Sequence, residues 1–367
     1  MKALRIASFP TPTVNPYFGL YYEGLARFGV QVDYFRDITR APLLTGPTGR
    51  LVDAVHFHWN LEKIWRSSGR STLARLKGLA KWYRFLRRTK RAGVKILWTA
   101  HELAPPEGGT WSDRLGFLMC ARAADLCISH SESCRQLVIR KFGLAADKTI
   151  TIPIGNYDGI LIPTKTREAA RLELGLPLDR RLLVCFGYQR PRKGLEVALD
   201  AMRLLDGNFH LVVQASGVNP KLKAWLSGLE EACRASNVSF LRRELDNSEL
   251  ANLLTAADCV VLPYLEIVGS GALAACLTLG RAVVVSDLPY FRESLAQEPD
   301  AGVFFRPGNA ADLAAAVNTF FAMDVSRREA AASRLADGLQ WEALVTPIGE
   351  WLQSHRRSSS EETVAES

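Results

Sequence analysis

Short runs of β-branched and aliphatic residues alternate with longer amphipathic stretches along the whole chain, and this alternation restricts the fold more than any other feature. Leu4 to Phe9, Ala54 to Trp59, Lys95 to Thr99, Leu126 to Ser129 and Thr149 to Pro153 each have the length of a strand. Strands separated by helix-sized segments predict parallel sheets covered by helices. The rhythm restarts after Leu161-Ile162-Pro163-Thr164-Lys165-Thr166, with Arg181 to Phe186, His210 to Gln214, Val238 to Leu241, Cys259 to Leu262 and Ala282 to Ser286. The expectation is an α/β chain of two doubly wound, Rossmann-like domains, 1–160 and 161–340, facing a central cleft. A helix over 341–353, apolar at Trp341, Leu344, Val345, Ile348 and Trp351, is expected to pack on one of them. The polar tail 354–367 has too few apolar residues to offset its ordering entropy and is expected to be disordered.

The longest apolar runs, such as Cys259 to Pro263 and Ala282 to Val285, are strand-sized, against roughly 20 residues for a spanning helix. Met1 to Phe9 lacks the basic start and apolar stretch of a signal peptide, so a cytoplasmic protein is expected. Seven cysteines without a Cys-x-x-Cys pair fit reduced, buried thiols rather than a disulfide framework or a zinc site. The net charge of +8 is unevenly spread: every charged residue from Lys63 to Lys95 is basic. Leu76, Leu79, Tyr83 and Leu86 recur at helical spacing through that stretch, with Trp82 and Phe85 at neighbouring angles. A basic amphipathic helix over 63–95 is expected to rest on an anionic membrane surface, each basic residue contributing on the order of 1 kcal/mol. The protein is then peripheral to the inner face of the cell membrane. A solvated helix packing its stripe on its own sheet is the alternative. No nucleic-acid-binding motif accompanies the charge, so nucleic acid is not an expected partner.

Two segments carry the chemistry of an anion site. Phe186-Gly187-Tyr188-Gln189-Arg190-Pro191-Arg192-Lys193-Gly194 follows the first strand of the second domain and leads into a helix. Glycine allows a sharp turn, and Arg190 with Lys193 stand beside a helix N-terminus, suited to a diphosphate. Leu262-Pro263-Tyr264-Leu265-Glu266-Ile267-Val268-Gly269-Ser270-Gly271 ends another strand and opens a second helix whose first amides point outward. It lacks the Gly-x-x-x-x-Gly-Lys-Ser/Thr of a nucleotide triphosphatase loop.

Taken together with Asn15-Pro16-Tyr17, His56-Phe57-His58-Trp59 and Thr99-Ala100-His101-Glu102-Leu103-Ala104-Pro105-Pro106-Glu107, these segments make the chain recognisable. It resembles the GT-B glycosyltransferases of bacterial exopolysaccharide biosynthesis, and is closest in motif to the xanthan-type β-mannosyltransferases. The resemblance implies a nucleotide diphosphate sugar donor held by Arg190, Lys193, Ser270, Gly271, Tyr264 and Glu266, with Arg243 bordering the base. It implies an acceptor in the first domain, near Asn15, Tyr17, His56, His58 and Trp59. The two histidines and Trp59 suit an acceptor platform, and a structural role suits them equally. Many retaining relatives carry a second glutamate eight positions after the first; here Ala274 and Ala275 occupy its place, which favours inversion. An inverting transfer needs a base for the acceptor hydroxyl. Glu107 is the expected base, with His101 touching the donor sugar or phosphate, although Glu102 and Pro106 replace residues usual in the motif. No Asp-x-Asp occurs to hold a diphosphate through a divalent ion, so no metal or other cofactor is expected and Arg190 with Lys193 take its place. The expected activity is transfer of mannose from GDP-mannose to a lipid-linked oligosaccharide. The alternatives are a retaining hexosyltransferase using a UDP-sugar, a nucleotide-sugar epimerase, and a non-catalytic nucleotide-sugar or glycan-binding protein.

Overall fold

A computed structural model describes residues 3–11, 16–35, 51–69, 71–104, 109–215, 220–233 and 237–356. The tail beyond Arg356 lies outside them. The chain divides into two compact units, Met1–Pro153 with Trp341–Ser367, and Ile154–Gln340.

The first unit is built on β1 (Leu4–Phe9), β2 (Val30–Tyr34), β3 (Ala54–Phe57), β4 (Lys95–Thr99), β5 (Leu126–Ser129) and β6 (Thr149–Thr151). They form a parallel sheet in the order β2-β1-β3-β4-β5-β6. β1, β3 and β5 are buried along their whole length, as expected of strands covered on both faces. The second unit uses β7 (Arg181–Cys185), β8 (Phe209–Gln214), β9 (Val238–Leu241), β10 (Cys259–Leu262), β11 (Val283–Ser286) and β12 (Gly302–Phe305). Its order is β12-β11-β10-β7-β8-β9, again parallel. In each sheet the chain winds outward, then returns to the other side of its first strand. The winding therefore reverses between β1 and β3 and between β7 and β10, where the carboxyl ends of strands leave room for a ligand.

Two of the four edge strands, β2 and β12, have no counterpart in the sequence expectation. Val-Gln-Val-Asp-Tyr and Gly-Val-Phe-Phe are short, and each is defined by pairing with a single neighbour rather than by composition. The units divide after Pro153, ahead of the expected junction at 160, because the next segment is hydrogen-bonded into the second unit. Asn156 donates from its backbone to Leu339 O and from Nδ2 to Ala336 O.

The expected helix at 341–353 is two helices, Trp341–Leu344 and Thr346–Ser354, both belonging to the first unit. They pack on the helix Tyr17–Ala26, which carries glycine at the contact: a Cβ on Gly24 would lie 3.0 Å from Val345 and 3.2 Å from the Trp341 backbone. The apolar face of the segment is satisfied there, with Ile348 and Leu352 buried.

The basic stretch also differs from expectation. It forms Glu62–Arg66 and Thr72–Arg91, the latter capped by Ser71 Oγ accepting from Ala74 N. The inward face of the long helix is Leu79, Trp82 and Leu86, with Trp82 Nε1 donating to Gly116 O at 3.1 Å. Leu76 and Tyr83, expected on that face, are exposed, together with Leu73. Bulky Trp82 fills the space beside β3, edge-on to Phe57, and so fixes the rotation of the helix. Among the described residues no helix is long and apolar enough to cross a membrane.

Candidate functional site

In the second unit the loops after β7 and β10 meet at the reversal of the winding. Gly187 turns the chain at φ +95°, in the left-handed region that favours glycine. Its amide donates to Gln214 Oε1 at 2.8 Å, and Gln214 Nε2 donates to Arg243 O at 2.7 Å. One buried side chain at the end of β8 thus ties together the loops after β7 and β9. Gly194 also has a left-handed φ of +65°, and a Cβ there would lie 2.0 Å from Pro263 O. Glycine lets the Arg190–Lys193 turn press onto the loop after β10, where Leu265 N donates to Arg192 O at 2.8 Å.

This contact brings the expected residues together. Lys193 Nζ stands 5.1 Å from the centre of the buried Tyr264 ring. Burial, then the nearby Arg190 and Arg192, push its ammonium down to about 8, while part of the side chain remains open to solvent. Arg190 lies over the Tyr188 ring at 4.7 Å. Ser270 caps the helix Gly271–Thr278 by accepting from Leu273 N at 3.1 Å. The amides of Gly271 and Ala272 find no acceptor among the described residues. A compact cation and a helix start thus frame one electropositive corner, the arrangement that anions seek.

Other expected donor residues sit at its margin. Glu266 is exposed, 3.9 Å from Arg192. The Arg243 side chain pairs with Glu249 at 2.6 Å on the surface, leaving its backbone as the part tied into the loop cluster. Ala274 and Ala275, in the place of the second glutamate, are buried in the helix.

The first unit gathers four histidines at the carboxyl ends of its central strands: His56 in β3, His58 just beyond it, His101 beyond β4 and His130 beyond β5. They form a continuous chain. His130 Nδ1 lies 2.9 Å from Ile152 O, His130 Nε2 3.0 Å from His101 Nδ1, and His101 Nε2 3.1 Å from His58 Nδ1. Tyr22 Oη bridges His58 Nε2 at 3.1 Å and His56 Nδ1 at 2.9 Å, and His56 Nε2 reaches Thr99 Oγ1 at 2.8 Å. The direction follows from one fixed end. A carbonyl only accepts, so His130 Nδ1 carries the hydrogen; a neutral ring then accepts at Nε2 from His101 Nδ1–H, and each successive ring does the same. All four rings are neutral Nδ1–H tautomers. Burial holds His56 down to about 3 and His130 to about 4, and keeps His58 and His101 well below the usual range.

That chain changes the reading of the expected acceptor residues. Tyr17, His56 and His58 are buried: Tyr17 packs edge-on against Trp341 and His58, and His56 lies tilted against His58 at 3.9 Å, so the three form core rather than an open platform. Both nitrogens of His101 are engaged, so in this conformation none is left for direct contact with a donor sugar or phosphate. Trp59 remains partly exposed and stacks on His101 at 3.9 Å. Asn15 and Glu107 lie outside the described residues. His130, Tyr22, Thr99 and Gln214 were not singled out from the sequence. His130 carried a usable signal, since it follows β5 as His101 follows β4.

The second unit matches the family described as glycosyl transferases group 1 over residues 166–334. A GDP-mannose:glycolipid 4-beta-D-mannosyltransferase of Xanthomonas campestris is 30% identical over 277 residues, covering 75% of this chain and 70% of that protein. A D-inositol 3-phosphate glycosyltransferase of Mycobacterium bovis is 27% identical over 287 residues, 73% of this chain and 55% of that protein. Among solved structures, sucrose-phosphate synthase from Thermosynechococcus elongatus superposes with a TM-score of 0.73 at 18% identity, covering 96% and 98% of the two chains. HepE from Anabaena, in complex with UDP and glucose, gives 0.72 at 16% identity, covering 96% and 100%. The doubly wound architecture is that of these GT-B proteins, and the identity to the Xanthomonas enzyme extends over most of both chains. The chain belongs to the group 1 glycosyltransferases.

Proposed function

We propose that this glycosyltransferase moves mannose from GDP-mannose to a lipid-linked oligosaccharide in exopolysaccharide biosynthesis, with inversion and without a metal ion. The observation that carries the reading is the corner between β7 and β10, where Lys193, Arg190 and the free amides of Gly271 and Ala272 suit a diphosphate. The Xanthomonas relative, named for GDP-mannose and a glycolipid, supports the donor and the class of acceptor. In the proposed step an acceptor hydroxyl attacks the anomeric carbon from the face opposite the diphosphate and gives its proton to Glu107. The bond to the diphosphate oxygen breaks, and GDP leaves with the electron pair. Negative charge grows on that oxygen, and Arg190, Lys193 and the helix start oppose it. The test is transfer to a lipid-linked oligosaccharide acceptor with GDP-mannose, UDP-glucose and dTDP-glucose in parallel. Turnover with GDP-mannose at least tenfold above the others is expected; preference for a UDP-sugar overturns the donor assignment.

The acceptor's lipid gives the basic helix Thr72–Arg91 a role. Its exposed Leu73, Leu76 and Tyr83 follow one another at helical spacing, flanked by exposed Lys77, Lys81, Arg84 and Arg88. An outward apolar stripe beside a cationic one is the pattern of an interfacial helix. Replacing those four cations by glutamate is expected to abolish co-sedimentation with vesicles containing anionic lipid. Unchanged sedimentation overturns the attachment.

A further inference from the structure

Tyr157 lies just past the division between the units, within the second. Its backbone amide donates to Thr278 Oγ1 at 2.9 Å, in the last turn of the helix Gly271–Thr278. Its side chain runs back along that helix to the first turn. A Cβ on Gly271 would lie 2.7 Å from the Tyr157 hydroxyl. Gly271 has no left-handed backbone to explain a glycine; the phenol does.

The residue is 5% exposed, and its hydroxyl has no hydrogen-bond partner among the described residues. The oxygen is not completely sealed from solvent at the helix start. Burial of the ring, with Tyr290 nearby, raises the phenol and keeps it as O–H. The helix start therefore offers the unengaged amides of Gly271 and Ala272 and a preset neutral O–H donor. On the other side of Ser270, Tyr264 leads to the ammonium of Lys193.

We infer that Tyr157 is a phosphate-binding residue of the donor site, its hydroxyl donating to an oxygen of the diphosphate seated at Gly271. This rests on the reading of that helix start as the diphosphate site. A donor held in place by burial, with its ring locked along the helix, loses little freedom when the anion arrives, and a hydrogen bond to a charged oxygen is among the stronger kinds.

The experiment is calorimetric titration of the full chain with GDP, UDP, guanosine and uridine, repeated with Tyr157→Phe. This substitution keeps the ring and its packing and removes only the hydroxyl. The expected result is that Kd for GDP and UDP rises about tenfold or more, while guanosine and uridine binding and the melting temperature of the free protein stay unchanged. Gly271→Ala, which drives a methyl into the hydroxyl's place, is expected to give the same diphosphate-selective loss. Wild-type affinity for GDP and UDP in Tyr157→Phe overturns the assignment, as does an equal loss for the nucleosides. If the wild-type chain binds neither diphosphate, the diphosphate site itself is wrong and the role of Tyr157 falls with it.

Discussion

Lys193→Ala lowers kcat for sugar transfer about 100- to 1,000-fold at saturating donor, the range seen when one preset charge-stabilising donor is removed from a reaction centre. The expectation follows from where the ammonium sits. The turn Pro191–Lys193 is held on the loop after β10 by the Gly194 contact with Pro263 and by the bond from Leu265 N to Arg192 O. The cation is therefore fixed before the donor binds, and its attraction grows as charge develops on the leaving oxygen. Lys193→Arg is expected to restore only part of the loss. Its wider planar head must fit where the Gly187 backbone already approaches Nζ closely, a Cβ there lying 3.4 Å from it. Steady-state kinetics decide the matter: a kcat within about threefold of wild type for Lys193→Ala removes this cation from the reaction centre.

The second large effect is on stability, and it arises from the histidine chain. An unfolded histidine titrates near 6.5, whereas the four folded rings stay neutral to far lower pH, to about 3 for His56 and about 4 for His130. The unfolded chain therefore binds protons that the folded one refuses. Stability from these groups is fully present above about 6.5 and falls as pH drops through the window toward 4. Each ring adds up to about 1.4 kcal/mol per pH unit to that slope. Four rings acting together approach the whole stability of a typical domain, about 5–15 kcal/mol, within two or three pH units. The groups packed on the chain are aromatic or hydroxylic, namely Tyr17, Phe18, Tyr21 and Tyr22 from the helix Tyr17–Ala26, Trp59 beyond β3 and Thr99 from β4. No carboxylate appears among the causes of the four shifts, so none is on hand to stabilise an imidazolium. Asp113, held well below the usual carboxylate range by Arg66 and its capping bonds despite burial, gives way only at still lower pH. Tryptophan fluorescence reads this directly, since Trp225 is the only tryptophan of the second unit. Cooperative loss of the first unit's signal between pH 6.5 and 4 is expected, with His130→Gln lowering the proton uptake by about one. A flat signal down to pH 4 contradicts the neutral chain.

Most of the fold was legible because a buried parallel strand is written in consecutive apolar residues: β1, β4, β5 and β10 have the bounds their composition suggested. The edge strands β2 and β12 were not, since pairing rather than burial defines them. Rotation of the basic helix was also hidden. Periodicity identified a helix, but the inward face was settled by how Trp82 fits against Phe57. In the second unit the site was readable from Gly187, Gly194 and Gly271, each glycine marking a turn or a close approach. In the first it was not. His56, His58 and His101 were visible as histidines at strand ends, but only the sheet order brings His130 alongside them and gives every ring nitrogen a partner. Tyr157 and Gln214 stayed hidden for the same reason, since each acts across a gap in sequence that only the winding of the sheet closes.

The most direct test of the proposed chemistry is the configuration of the new linkage. The full chain would be incubated with GDP-mannose and a lipid-linked oligosaccharide in the presence of a metal chelator, and the product analysed by NMR at the anomeric position. A β-mannoside formed with release of one GDP per linkage is the expected result. An α-mannoside, or transfer that stops when metal is removed, contradicts an inverting, metal-independent step assisted by Arg190 and Lys193.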